Sequence, residues 1–158
     1  MKVLPHTHSC FVCGESNPVG LKLLFHTDGN AVQVQFKPRP EHIGFKGVVH
    51  GGLISTVLDE IMVWACVMKT KRFAFCAELT VRFAKPAVPD EECVATAELV
   101  ENRRDRIFVA KAELRNAAGE ILATGTGKYI PVPATELKTM ATDFVDDPSW
   151  LFEARSSV

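Results

Sequence analysis

Asp59 is the residue whose type and position most directly suggest chemistry. It lies inside His50-Gly51-Gly52-Leu53-Ile54-Ser55-Thr56-Val57-Leu58-Asp59-Glu60-Ile61-Met62-Val63-Trp64-Ala65-Cys66-Val67-Met68, a run that opens on paired glycines and is then apolar on most sides. A helix of that composition belongs in a core, where an ionised carboxylate is costly unless compensated. Asp is also a poor mid-helix residue, and its neighbours one turn on, Met62 and Val63, are apolar. A carboxylate held there can serve as a general base or a nucleophile. Gly51 and Gly52 supply a second function. Without side chains at the helix start, free backbone N–H groups can approach an oxyanion closely, and the helix dipole favours its negative charge.

The spacing decides how the two halves could cooperate. Gly51 and Asp59 are eight residues apart, about 12 Å along a helix rising 1.5 Å per residue. A reacting carbonyl needs its oxyanion donor and its base or nucleophile each within roughly 3 Å. One helix cannot deliver both to the same carbonyl. If both act, Asp59 comes from a second copy of the helix lying antiparallel to the first, which implies a homodimer with two sites at its interface. Ser55, Thr56, Asp59 and Glu60 form one narrow polar stripe on the helix, and Glu60 is expected to face solvent.

The elements that must position this helix are read from the flanking sequence. Residues 1–20 are an irregular lead-in punctuated by Pro5, Gly14, Pro18 and Gly20. Leu21 to His26 and Ala31 to Phe36 predict two strands joined at Asp28-Gly29. After the helix, four long strands are expected: Phe73 to Ala84, Cys93 to Glu101, Arg106 to Arg115 and Ile121 to Ile130. The short turns between consecutive strands imply an antiparallel meander. A helix apolar nearly all round needs cover on most sides. The expectation is an α+β fold, a curved antiparallel sheet of five to six strands wrapped around one long central helix. Residues 21–132 would form that body. Residues 133–158 would be a tail, with a short helix over Thr135 to Phe144 and an apolar cluster at Trp150-Leu151-Phe152, docked on the body or a neighbouring subunit.

The totals narrow the class. The chain has 158 residues, 47% hydrophobic and 23% charged, which fits one globular domain with its own core. A formal net charge of -1 gives no reason to expect nucleic acid. Asp59 and Glu60 interrupt the longest apolar run, so no membrane span is expected. The start, Met1-Lys2-Val3-Leu4-Pro5-His6, has no signal-peptide apolar region, and a cytoplasmic protein is expected. Five cysteines fit reduced thiols better than a disulfide framework.

His50-Gly51-Gly52 followed by Leu58-Asp59, with the later Leu79-Thr80-Val81-Arg82-Phe83-Ala84-Lys85-Pro86, resembles the PaaI-like acyl-CoA thioesterases of the hotdog fold. The likeness covers roughly residues 10–131. Cys10-Phe11-Val12-Cys13-Gly14 with Asn17-Pro18-Val19-Gly20-Leu21 also looks like the lead-in of a bacterial subgroup. The resemblance implies acyl-CoA hydrolysis with no metal or redox cofactor, by dimers that often pair into tetramers. It implies that Asp59 is the acidic nucleophile or general base. It matches Gly51 to the residue whose N–H polarises the thioester carbonyl, and His50 to the histidine that shapes that loop. Gly52 and Ser55 fall beside them as substrate-binding candidates. Two positions depart from the family pattern. Gly44 stands where relatives often carry an Asn that positions water or the thioester. Cys76 stands where Thr or Ser is common, and a thiol is the weaker donor. Candidates for lining an apolar acyl pocket are Trp64, Met62, Met68 and Phe75. Arg82, Lys85 and Lys128 are candidates for a basic rim at the mouth of a site for the CoA phosphates.

His6, His8, Cys10 and Cys13 are all plausible zinc ligands, but they come from one short segment, whereas a structural site usually draws on two. No metal is therefore expected. Two other functions compete with hydrolysis: a hydratase or dehydratase on the same fold, and a non-enzymatic acyl-CoA binding module. The first typically needs a His–Glu or Asp–His pair, for which no second acid fits as well as Asp59 alone fits a hydrolase. The second would not need Asp59.

Overall fold

The computed structural model describes residues 1–149. The helix expected after the paired glycines is α1, Gly51–Thr70. Its start is set by His50, whose extended backbone precedes the first turn and whose Nδ1 accepts the Gly52 N–H at 2.9 Å. This bond satisfies one of the donors that a helix start leaves open. Its end is set by Lys71 in the left-handed conformation, φ 59°, with its N–H on the Val67 carbonyl. Lys69 reaches from the last turn to the Gly29 carbonyl at 3.0 Å. By length and hydropathy alone α1 passes for a membrane span, yet half of it is buried against the sheet, the place of a core helix.

Among the described residues, seven antiparallel strands pack around it: β1 (Lys2–Val3), β2 (His26–Thr27), β3 (Val32–Phe36), β4 (Ala74–Phe83), β5 (Cys93–Arg103), β6 (Ile107–Asn116) and β7 (Ile121–Pro131). This is the expected α+β arrangement, with two strands of only two residues raising the count to seven. The order across the sheet is β1-β2-β3-β5-β6-β7-β4. The meander therefore runs through β5, β6 and β7 only. β4 pairs with β7 at the far edge rather than with β5. The reason is the helix itself. Twenty residues reach about 30 Å, enough to carry the chain from β3 across four strand spacings of about 5 Å. The segment through Pro86 and Pro89 then brings it back to β5.

The strand expected over Leu21 to His26 is mostly absent. Lys22 takes φ 55°, which breaks an extended run, and the Leu21 and Leu23 N–H groups donate to the carbonyls of Phe11 and Val12 in the lead-in. Only His26–Thr27 joins the sheet.

Ile54, Val57, Leu58, Ile61 and Met62 of α1 are buried among alternate residues of β3, β5, β6 and β7. Gly125 lets the helix approach, since a Cβ there would sit 3.3 Å from Met62 Cε. The described part of the tail, residues 133–149, contains α2 (Ala134–Ala141) and packs on the body through residues 143–145. His8 N–H donates to the Asp143 carbonyl, Val145 N–H to the His6 carbonyl, and Phe144 packs on Trp64 and Phe73. The Trp150-Leu151-Phe152 cluster lies outside the described residues.

Candidate active site

Asp59 lies midway along α1, partly exposed, and faces β7 and β4. The Tyr129 hydroxyl donates to its Oδ1 at 3.0 Å and lies 3.3 Å from its main-chain carbonyl. Tyr129 is fully buried. Burial, reinforced by the negative charge of Asp59, pushes the phenol well above its ordinary range, so it stays protonated and acts as a donor. Its ring lies over Gly127, where a Cβ would come within 2.4 Å of Tyr129 Cε2. Only glycine leaves room for that pose.

Cys76 is opposite Tyr129 in the β4–β7 pair, so both side chains project from the same face of the sheet. The pairing shifts between Cys76 and Glu78, a bulge of the kind that re-aims a side chain. Burial of the sulfur pushes the Cys76 thiol up to about 11, with the Asp59 charge adding to it. Cys76 is thus a neutral thiol beside the carboxylate.

At the other end of α1, the Gly51 N–H has no hydrogen-bond acceptor among the described residues. It opens onto a cavity of about 400 Å³ lined by Gly44, Phe45, His50, Gly51, Phe83 and Lys85 among others. A Cβ on Gly51 would meet the Phe83 ring at 3.1 Å, and one on Gly44 would meet His50 Cδ2 at 3.0 Å. Gly44 therefore makes space for the His50 ring, and a larger side chain there would crowd the helix cap. The loop is anchored by Val49 N–H on the Ala87 carbonyl and His50 N–H on the His42 carbonyl.

The structure brings His50, Gly51, Gly44 and Lys85 to this cavity, and Asp59 and Cys76 to Tyr129. Gly52 donates to the His50 cap, and Ser55 Oγ donates to the Gly51 carbonyl at 2.9 Å, which commits its proton to the helix backbone. Lys85 pairs with Glu120, and Lys128 with Glu78 at 3.0 Å. Arg82 is exposed on β4. Trp64 is not brought to the cavity. It is buried against Phe25, Phe73 and Phe144, because its side of α1 faces the docked termini. Met62 is buried in the core, and Phe75 is half exposed on β4.

Sequence reasoning missed Tyr129. The available signal was that it is the single tyrosine of the chain, at an inward position of a strand. Glu60, expected to face solvent, lies instead against the lead-in, with Cys10 Sγ 3.9 Å from its Oε1.

A family model described as the thioesterase superfamily matches residues 46–123. Human acyl-coenzyme A thioesterase 13 is 28% identical over 93 residues, 58% of this chain; the match spans 66% of the human protein. The PaaI protein of E. coli, from the phenylacetic acid degradation operon, shares the fold with TM-score 0.65 at 19% identity, over 72% of this chain and 81% of its own. A Streptococcus mutans protein bound to acetyl CoA shares it with TM-score 0.64 at 16% identity, over 68% of this chain and 86% of its own.

Proposed function

We propose, from the match of residues 46–123 to the thioesterase superfamily model, that this protein hydrolyses acyl-CoA thioesters to the free acid and CoA. The carrying observation is that one helix presents two unspent groups. These are a Gly51 N–H facing a cavity and an Asp59 carboxylate held on one oxygen by Tyr129. The thioester carbonyl accepts the Gly51 N–H of one subunit, and the helix dipole stabilises the oxyanion as it forms. Asp59 of the second subunit either takes a proton from the attacking water or attacks the carbonyl itself. The C–S bond breaks, the thiolate leaves and takes up the proton, and water supplies the new oxygen of the acid. Neither step calls on a metal or redox cofactor.

The shape of the sheet supports the dimer. β4 is an edge strand of ten residues, paired only on its β7 side among the described residues. Its Phe75 and Phe83 are half exposed. A long, partly apolar, open edge is a template for a second strand, and pairing two β4 edges would bring the two α1 helices side by side. Lys85 and Arg82, at that end, would meet the CoA phosphates.

A free-thiol release assay with a panel of acyl-CoAs tests the reading. Wild type should release CoA, and Asp59→Asn should lose turnover by at least about a hundredfold while still binding ligand. Turnover by Asp59→Asn at the wild-type rate would remove Asp59 from the mechanism. Ligand binding without turnover in wild type would instead make the protein a binding module.

A further inference from the structure

We propose that Cys10, Cys13 and Glu60 form a binding site for a thiophilic divalent cation, zinc by the chemistry of its donors, which fastens the N-terminal lead-in to α1. The two sulfurs and a Glu60 carboxylate oxygen all lie within 4.8 Å of one another. Tetrahedral zinc with Zn–S near 2.3 Å and Zn–O near 2.1 Å holds such ligand atoms about 3.5–3.8 Å apart. The Cys10 Sγ to Glu60 Oε1 separation is already 3.9 Å. Closing the cluster around an ion needs movements of about 1 Å or less.

Three further features fit a metal site. First, the loop is built to present its sulfurs. Val12 N–H donates to Cys10 Sγ at 3.2 Å, a contact that favours the thiolate. Gly14 permits the tight fold, since a Cβ there would lie 2.2 Å from the Cys10 carbonyl oxygen. Second, Glu60 makes no ion pair among the described residues although it is packed against the lead-in, with Cys10 Sγ 3.9 Å from its Oε1. It is an acid in a confined place with no cation beside it. Third, the ligands come from two elements distant in sequence, which answers the objection that a single short segment raises. His6 and His8 are not part of the cluster. They face Glu15 at 3.4 and 3.2 Å. Cys10 and Glu60 both keep partial exposure, so solvent can supply the fourth ligand.

The site would tie together more than two elements. The loop that carries the cysteines also holds the tail, through Ser9 Oγ donating to Asp143 Oδ2 at 2.6 Å. A bound ion would therefore fasten the lead-in, and through it the segment around Asp143, onto the helix one residue from Asp59. This inference does not depend on the proposed hydrolysis.

Cobalt(II) titration of the full-length, fully reduced protein tests it. Expected are one equivalent bound, a thiolate-to-cobalt absorption band in the near ultraviolet, the visible bands of tetrahedral cobalt, and displacement by zinc. Cys10→Ser/Cys13→Ser should lose the band and Cys66→Ala should keep it. Glu60→Gln should keep the sulfur band but bind at least about tenfold more weakly. A chelator should lower the Tm of zinc-loaded wild type and leave that of the double variant unchanged. A reduced wild type that shows no thiolate band at stoichiometric cobalt overturns the proposal. So does a band that survives in Cys10→Ser/Cys13→Ser.

Discussion

The Tyr129 hydroxyl reaches Asp59 Oδ1 across 3.0 Å although the two residues are 70 apart in the chain. A buried donor of this kind holds one carboxylate oxygen in place. Tyr129 is thus a positioning residue for Asp59. Tyr129→Phe should lower kcat by about tenfold with KM little changed, and should cost about 1 kcal/mol of stability for the lost hydrogen bond. Steady-state kinetics with a fixed acyl-CoA, read alongside thermal unfolding, separates the two effects. A change confined to KM would contradict the positioning role.

Gly127→Ala attacks the same contact from beneath. The new methyl would displace the Tyr129 ring, since its place lies 2.6 Å from the hydroxyl oxygen. Activity should fall at least as far as in Tyr129→Phe, and overpacking should cost about 1–3 kcal/mol. Adding Tyr129→Ala to Gly127→Ala removes the clash. The stability cost of the pair should then be less than the sum of the single costs, as a double-mutant cycle measures.

The division of labour between subunits has a direct test. Asp59→Asn and Gly51→Pro should each be inactive as homodimers, Gly51→Pro because it removes the N–H at the first helical position, where proline suits the backbone and the Phe83 ring must shift to make room. Unfolded and refolded together in equal amounts, half the dimers are hybrids carrying one intact site each. Activity should recover to about a quarter of wild type. No recovery would mean that each subunit builds its own site.

How much of this was legible in the sequence depends on the range of the interaction. α1 was legible because its signals are local: a cap, two glycines and an apolar run. The β5–β6 and β6–β7 hairpins were legible for the same reason, with Arg104, Asp105 and Gly119 at positive φ in their turns. The place of β4 was not, because it depends on where a 20-residue helix delivers the chain. Leu21 to His26 reads as a strand by composition, but its Leu21 and Leu23 N–H groups found acceptors in the lead-in. Glu60 looked solvent-facing because nothing in its own helix reveals that Cys10 and Cys13 fold back over it.

Glu60 also sets a pH dependence in metal-free protein. It faces Cys10 and Cys13 of the lead-in, with Asp59 beside it and Trp64 one turn on. Burial raises its carboxyl from the usual 4.5 to about 8 on folding. Between those values the folded state binds the extra proton, so the stability that Glu60 contributes is full below about pH 4.5 and is lost as pH rises to about 8. Chelator-treated wild type should therefore lose a few kcal/mol relative to Glu60→Gln between pH 5 and pH 9. Equilibrium denaturation across that range checks it, and parallel curves for the two proteins would rule it out.

β7 is clamped on both flanks, by β6 and by β4. Sliding it by one residue would turn Tyr129 to the outer face and carry Lys128 inward against the apolar side of α1, because side chains alternate strictly along a strand. No rotamer change on the helix could then recover a partner for Asp59. An insertion or deletion between Ile121 and Gly127 is consequently as damaging to the site as loss of the carboxylate, unless a compensating bulge absorbs it. The count of residues along that strand is itself a functional constraint.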